Sequence, residues 1–402
     1  MELPGAGRTL RLTCVASARQ TALGILAAML LVALNVAWVA RALGPPPHRP
    51  REVLELDHRR YIAMAGAFPG ASADSLAREA PFCWRILSPL LVYGATRAGF
   101  DLHFAYWAST LLFLILFLFA LFRYLLGLGF DTAGALLGMT LASLMPGAVR
   151  WYAYQYWMPD PLCLFLVVLG LHLVERHRHT ALSFVALAGL LTRESWMLVI
   201  VYALVRWIHV AAWRTSLRRG LAVFGLPLLA FAALRLWIMP QSGPTLLGAA
   251  REMLAFRARH LFENQLYFAT LGSFGVLVPL LLARAGRVPG FVRRHPESVA
   301  LVAMTYGSLA FANNTDRLLV YALPVLIPAA LGTLLALGAK PRDWALWAAT
   351  ALSLQLFVYV LTPFRGSPGL SMLQPVQWPV VAALAGFWLA CIVAPRLRRV
   401  GG

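Results

Sequence analysis

Long apolar runs, each closed by a short polar or basic stretch, set the rhythm of this chain. The first, TALGILAAMLLVALNVAWVA at residues 21–40, carries no charge. It is about 20 residues long, the length at which a helix crosses a bilayer core. Similar runs near 103–122, 132–149, 161–174, 181–191, 196–213, 221–239, 266–283, 298–312, 318–337, 344–361 and 380–393 bring the expected spans to about twelve. None shows the alternation of apolar and polar residues that marks a barrel strand. The expected fold class is therefore all-α, a polytopic transmembrane helix bundle forming one integral membrane domain over 1–402. No small-residue cleavage site follows the first run, so it reads as a retained helix.

Two segments decide the topology. At LLTRESW, residues 190–196, the pattern splits two spans; a single span over 181–213 would carry the basic stretches RAGRVPGFVRRH, KPR and PRLRR to the outside. FCWRILSPLLVYGATRAG, residues 82–99, is apolar but contains Arg85, Pro89 and Arg97. It reads as a juxtamembrane or re-entrant helix at the outer interface, suited to Trp84 and Tyr93. With these choices and the N-terminus inside, the inner connections are short and basic, carrying for example Arg123, Arg176, Arg218, Arg293, Lys340 and Arg398. The longer connections 41–102, 150–160, 240–265 and 363–379 fall outside and hold most of the acids. Both termini are expected in the cytoplasm, in an inner (plasma) membrane.

Composition agrees: 60% of residues are hydrophobic and 13% charged. The net charge of +19 follows from basic inner loops and calls for no nucleic acid. Cys14, Cys83, Cys163 and Cys391 have neither metal nor disulfide spacing and read as structural or incidental.

Charge gathers at the outer ends of the expected helices. In DHRRYIAMAGAF, residues 57–68, helical spacing would put Asp57, Arg60, Tyr61, Met64 and Phe68 on one face. The same side collects Arg85 in PFCWR, Asp160 in YQYWMPDP, Arg193 and Glu194 in LTRES, and Asp316 and Arg317 in NNTDR. Charges at membrane depth are costly unless paired or lining a wet cavity, so these segments imply a polar recess opening outward. Plainer readings stand beside it. The 57–68 helix could lie in the interface with solvated charges. Arg193 with Glu194, and Asp316 with Arg317, could pair with each other. Asp160 could be the N-cap of a helix whose first residue is Pro161. Arg235, inside an apolar run, reads as snorkelling to the outer interface. Arg251, Arg257 and Arg259 read as a surface helix or a contact for anionic headgroups, and ERHRH at 175–179 as a solvated turn.

A first helix, a long outer loop carrying an acid on a juxtamembrane helix (LDHRRYIAMA), a PFCWRILSPLL segment, and later PDP, TRES and NNTDR segments together resemble the GT-C superfamily of polytopic glycosyltransferases. Protein O-mannosyltransferases, aminoarabinose transferases and polyprenyl-phosphate-dependent mannosyltransferases belong to it. The first outer loop has no paired DD, DE or ED motif.

The resemblance implies a mannosyltransferase-like enzyme that transfers a sugar, its identity unread, from a polyprenyl-phosphate donor to a glycan, lipid or protein acceptor at the outer face, with inversion. Asp57 would take the acceptor's proton as base, with Asp160 or Glu194 as alternatives. Arg85 and Arg317 would hold the donor phosphate. Tyr61, Asp160, Arg193, Glu194 and Asp316 would orient substrate. A divalent cation could bridge Asp57 and Asp160 to the phosphate, though no ligand spacing demands one. Partners beyond donor and acceptor would be membrane lipids. Competing readings are a transporter or lipid flippase, which expects ionisable residues near the midplane on interrupted helices, and a non-catalytic membrane scaffold.

Overall fold

The computed structural model describes residues 17–43, 58–79, 82–239, 246–260, 266–283, 285–311, 315–337, 341–361 and 374–400. Every regular element among them is helical. Four helices, Ala18–Arg41, Leu102–Gly127, Trp213–Trp237 and Arg317–Ala336, are long and apolar enough to cross a membrane. Thr132–Ser143, His179–Thr192, Leu346–Leu356 and Pro379–Val393 are apolar but shorter. By contacts the chain forms two compact units: Thr21–Tyr124 with Tyr152–Thr245, and Met1–Gln20 with Leu125–Trp151 and Leu246–Gly402.

In the first unit, the helices Asp160–Glu175, His179–Thr192, Met197–Val210 and Trp213–Trp237 pack together. Trp196 fills the centre, its indole Nε1 donating to Leu166 O at 3.1 Å. Room for it comes from Gly189, where a Cβ would stand 2.2 Å from the Trp196 ring. On the Ala18–Leu43 helix Leu26, Leu30 and Leu34 form an exposed stripe at four-residue spacing. Asp101 opens the Leu102–Gly127 helix, its Oδ1 accepting from the N–H groups of His103 and Phe104 at 2.9 and 3.0 Å. Those two bonds hold the Asp101 carboxyl below its ordinary value.

The described helices of the long first connection pack with this bundle. The helix His58–Ala67 buries His58, Tyr61, Met64 and Ala65. Tyr61 and Met64 thus share a face as expected, but that face packs into protein. The helix Leu87–Arg97 lies against His58–Ala67 and against His179–Thr192. Its 11 residues reach about 16 Å, too short to cross a bilayer core.

The second unit shows where the apolar pattern overran. The run 132–149 is interrupted: the helix stops at Ser143, and a new one starts at Val149. Pro146 lies in the gap and has no N–H to continue the ladder. The run 266–283 is interrupted too, by a π-helical turn at Phe268–Gly272 and by Gly275 at φ +46° before the helix Leu277–Leu282. Gln355, fully buried, closes both gaps. Its Oε1 accepts from Val276 N at 3.0 Å, and its Nε2 donates to Leu144 O at 3.3 Å.

Candidate functional site

The site is built where the His179–Thr192 helix ends. Thr192 Oγ1 turns back to Ala188 O at 2.7 Å, and Arg193 adopts an extended backbone (φ −168°, ψ 144°). A 3-10 turn over Glu194–Trp196 then leads into Met197–Val210. Side chains of successive residues in extended backbone diverge, so Arg193 and Glu194 go to different partners.

Arg193 pairs with Asp160, whose side chain is 0% exposed. Asp160 sits in the first turn of Asp160–Glu175, where the helix dipole favours a negative charge. It is not the N-cap: Pro159 holds that place, without a side-chain capping bond.

Glu194 bridges two arginines. Its Oε2 accepts from Arg85 Nε at 3.1 Å, and its Oε1 from Arg235 Nη2 at 3.0 Å. Arg193 and Glu194, a possible pair by sequence, thus each hold a partner elsewhere, Asp160 for the one and Arg85 with Arg235 for the other.

Arg85 also donates through Nη1 to Tyr61 Oη at 2.9 Å, while Tyr61 O accepts from Tyr106 Oη at 2.7 Å. The Arg85 guanidinium lies over Phe82, 5.0 Å from the ring centre. Arg235 lies between Trp84 and Phe231, at 4.2 and 4.8 Å. Trp84 Nε1 in turn donates to Ile238 O at 3.0 Å, tying the PFCWR turn to the end of Trp213–Trp237.

Arg235 gains partners that its place in the sequence does not announce. At the end of its helix and 40% exposed it is open to the interface as expected, and it is also a member of this cluster; the signal was an arginine in an apolar run, a costly placement without a partner.

Side-chain exposures are 14% for Arg85, 27% for Glu194 and 40% for Arg235, so the cluster is partly dry yet reachable. Burial alone would raise the Glu194 carboxyl, but Arg85 and then Arg235 hold it below the ordinary 4.5. Burial would lower Arg85, but Glu194 and Tyr61 outweigh it and keep the guanidinium charged. Two cations share one carboxylate, leaving a net positive charge suited to an anion. Glu194, ionised but engaged on both oxygens, is poorly placed to take up a proton. Cys83 stands beside the cluster; burial pushes its thiol up to about 11, which keeps it protonated and weakly nucleophilic at neutral pH.

The first unit thus brings together Tyr61, Arg85 and Glu194, and separately Asp160 and Arg193. Asp57 lies outside the described residues, directly before the His58–Ala67 helix. Arg317 and Asp316 belong to the second unit, in Thr315–Leu319; Arg317 is buried, and the Asp316 side chain lies outside what is described. There Arg257 donates to Leu309 O at 2.7 Å and Thr315 Oγ1 at 2.9 Å, which makes it a tie within the fold more than a surface charge. Asp160, taken up by Arg193, does not fit a divalent cation bridged to a phosphate. No protein-family model, curated protein or solved structure matches the chain.

Proposed function

We propose that this chain is an integral membrane glycosyltransferase of the GT-C type. It moves a sugar from a polyprenyl-phosphate donor to an acceptor at the outer face of an inner (plasma) membrane, through about twelve spans with both termini inside. The observation that carries this reading is the Arg85–Glu194–Arg235 cluster. It offers guanidinium donors and a net positive charge where the bundle's helices end, next to the first-loop helix that Asp57 precedes in sequence.

In the reaction, the acceptor hydroxyl attacks the anomeric carbon and its proton passes to a carboxylate. The bond from that carbon to the phosphate oxygen breaks, and its electron pair stays on the departing polyprenyl phosphate. Arginine donors stabilise the charge that grows there. Attack opposite the leaving group inverts the anomeric configuration. The base is Asp57: Glu194 is engaged by two arginines, and Asp160 is sealed in its pair with Arg193.

Interrupted helices in the second unit favour a transporter or flippase as the second reading. The backbone groups Leu144 O and Val276 N at those interruptions are, however, already taken by Gln355.

The test is release of polyprenyl phosphate by purified protein in nanodiscs, offered a panel of polyprenyl-phosphate sugars and acceptors. Asp57→Asn should lower release about a hundredfold. Release that survives the substitution moves the base elsewhere. No release with any donor favours the transport or scaffold readings.

A further inference from the structure

We infer that Arg235, not Arg317, is the second cation of the phosphate site, and that Glu194 is the strut that holds it beside Arg85. The inference deepens the proposed transfer reaction and rests on it; the ligand class is a phosphate ester with an apolar isoprenoid tail.

Three observations converge on Arg235. First, both guanidiniums are anchored to the two oxygens of one carboxylate, at 3.1 and 3.0 Å, which fixes their spacing before any ligand arrives. A guanidinium has five N–H donors. Glu194 and Tyr61 engage only some of those on Arg85. On Arg235, Nε is buried without a hydrogen-bond partner among the described residues. Nε itself has no open surface, so a ligand acceptor would meet the guanidinium at its terminal nitrogens, of which Glu194 engages Nη2.

Second, the planar head of Arg235 is held between the Trp84 and Phe231 rings. A stacked guanidinium has already lost its freedom, so engaging a phosphate costs less ordering.

Third, the charge fits. Arg85 and Arg235 against Glu194 leave one positive charge, the complement of a phosphodiester's single negative charge. Arg235 is also the most open of the three at 40% exposure, whereas Arg317 is buried in the second unit.

The experiment is direct binding of geranyl methyl phosphate, a phosphodiester, to the full chain in nanodiscs, with geraniol as the uncharged counterpart. Wild type should bind the phosphate and not the alcohol. Arg235→Gln should weaken binding at least about tenfold, as loss of a charge-assisted hydrogen bond predicts. Arg235→Lys keeps the charge and the Glu194 pair but not the planar fork, and should bind at an intermediate level. That variant decides the matter should Arg235→Gln fail to fold.

The double variant Glu194→Gln/Arg235→Gln restores the net charge without the second guanidinium, and should stay as weak as Arg235→Gln. Arg214→Gln, at the other end of the same helix, should bind like wild type. Wild-type affinity in Arg235→Gln, or its recovery in the double variant, overturns the assignment while leaving the transferase reading intact. Wild type that binds neither compound overturns both.

Discussion

Two helix breaks, one in each unit, solve the same problem in opposite ways. At 193–196 the chain leaves a helix by an extended arginine, and the neighbourhood is filled with charge: Asp160 against Arg193, Glu194 against Arg85 and Arg235. At 273–276 it leaves by a glycine at φ +46°, and a single neutral side chain, Gln355, takes up Val276 N and, with its other end, Leu144 O at the neighbouring break. The neutral repair is fully buried, whereas the Glu194 cluster stays partly open. A neutral amide suffices to mend backbone. Paired charges kept within reach of solvent exceed what mending requires, and that surplus distinguishes a candidate site from a structural joint.

Each break can be attacked separately. The largest loss of stability should come from Asp160→Ala, which leaves Arg193 buried without its counter-charge, at a cost of about 3–5 kcal/mol. Chemical denaturation in detergent measures it, and an unchanged midpoint would show that Arg193 finds another partner. Gln355→Ala should cost about 2 kcal/mol, since Val276 N and Leu144 O lose their bonds in a dry place. If the proposed transfer reaction holds, release of polyprenyl phosphate by this variant, measured well below the unfolding temperature, should stay near wild type. A collapse of turnover there would erase the contrast between joint and site.

Each break also has a glycine facing a large side chain. Gly189→Ala against Trp196 should cost about 1–3 kcal/mol by overpacking, read as a lower thermal midpoint. A Cβ at Gly275 would meet Gln355 Oε1 at 2.3 Å, so Gly275→Ala should behave similarly.

The smallest effect is in pH. Because the folded Glu194 pKa is depressed, its contribution is fully present above the ordinary value of 4.5 and is lost as pH falls through the lower folded value. Acid should therefore lower the thermal midpoint of wild type more than that of Glu194→Gln. Gln355→Ala should keep the wild-type acid sensitivity, since its amide does not titrate. Equal acid sensitivity in Glu194→Gln would remove Glu194 from the balance.

Much of the fold was legible because apolar run length is a strong signal, and each run carries helix among its described residues. The interruptions were less visible: a mean over many apolar residues hides one Pro or Gly, although the Pro146–Gly147 pair in SLMPGA was a readable turn signal. Gln355 gave no warning except that a buried polar residue in an apolar helix needs a partner. Sequence marked Tyr61, Arg85, Asp160, Arg193 and Glu194 as candidates, but not who meets whom. Adjacent Arg193 and Glu194 suggested a pair, and only the extended backbone at Arg193 sends them apart. An arginine near a helix end can reach water by itself, so Arg235 announces no partner in sequence; its partner lies 41 residues away in the chain.

The span between partners also has a consequence for how the molecule is made. Arg85 precedes Glu194 by 109 residues, and Trp84 precedes Ile238 by 154. At ordinary rates of synthesis Arg85 waits roughly 5–20 s for its carboxylate. During that interval the first loop carries a cation with no counter-charge from Glu194. The loop can latch onto Ile238 only after the Trp213–Trp237 helix has been laid down. The cluster can thus close only after its later partners have been made, and a chain halted before Glu194 would hold Arg85 without that counter-charge.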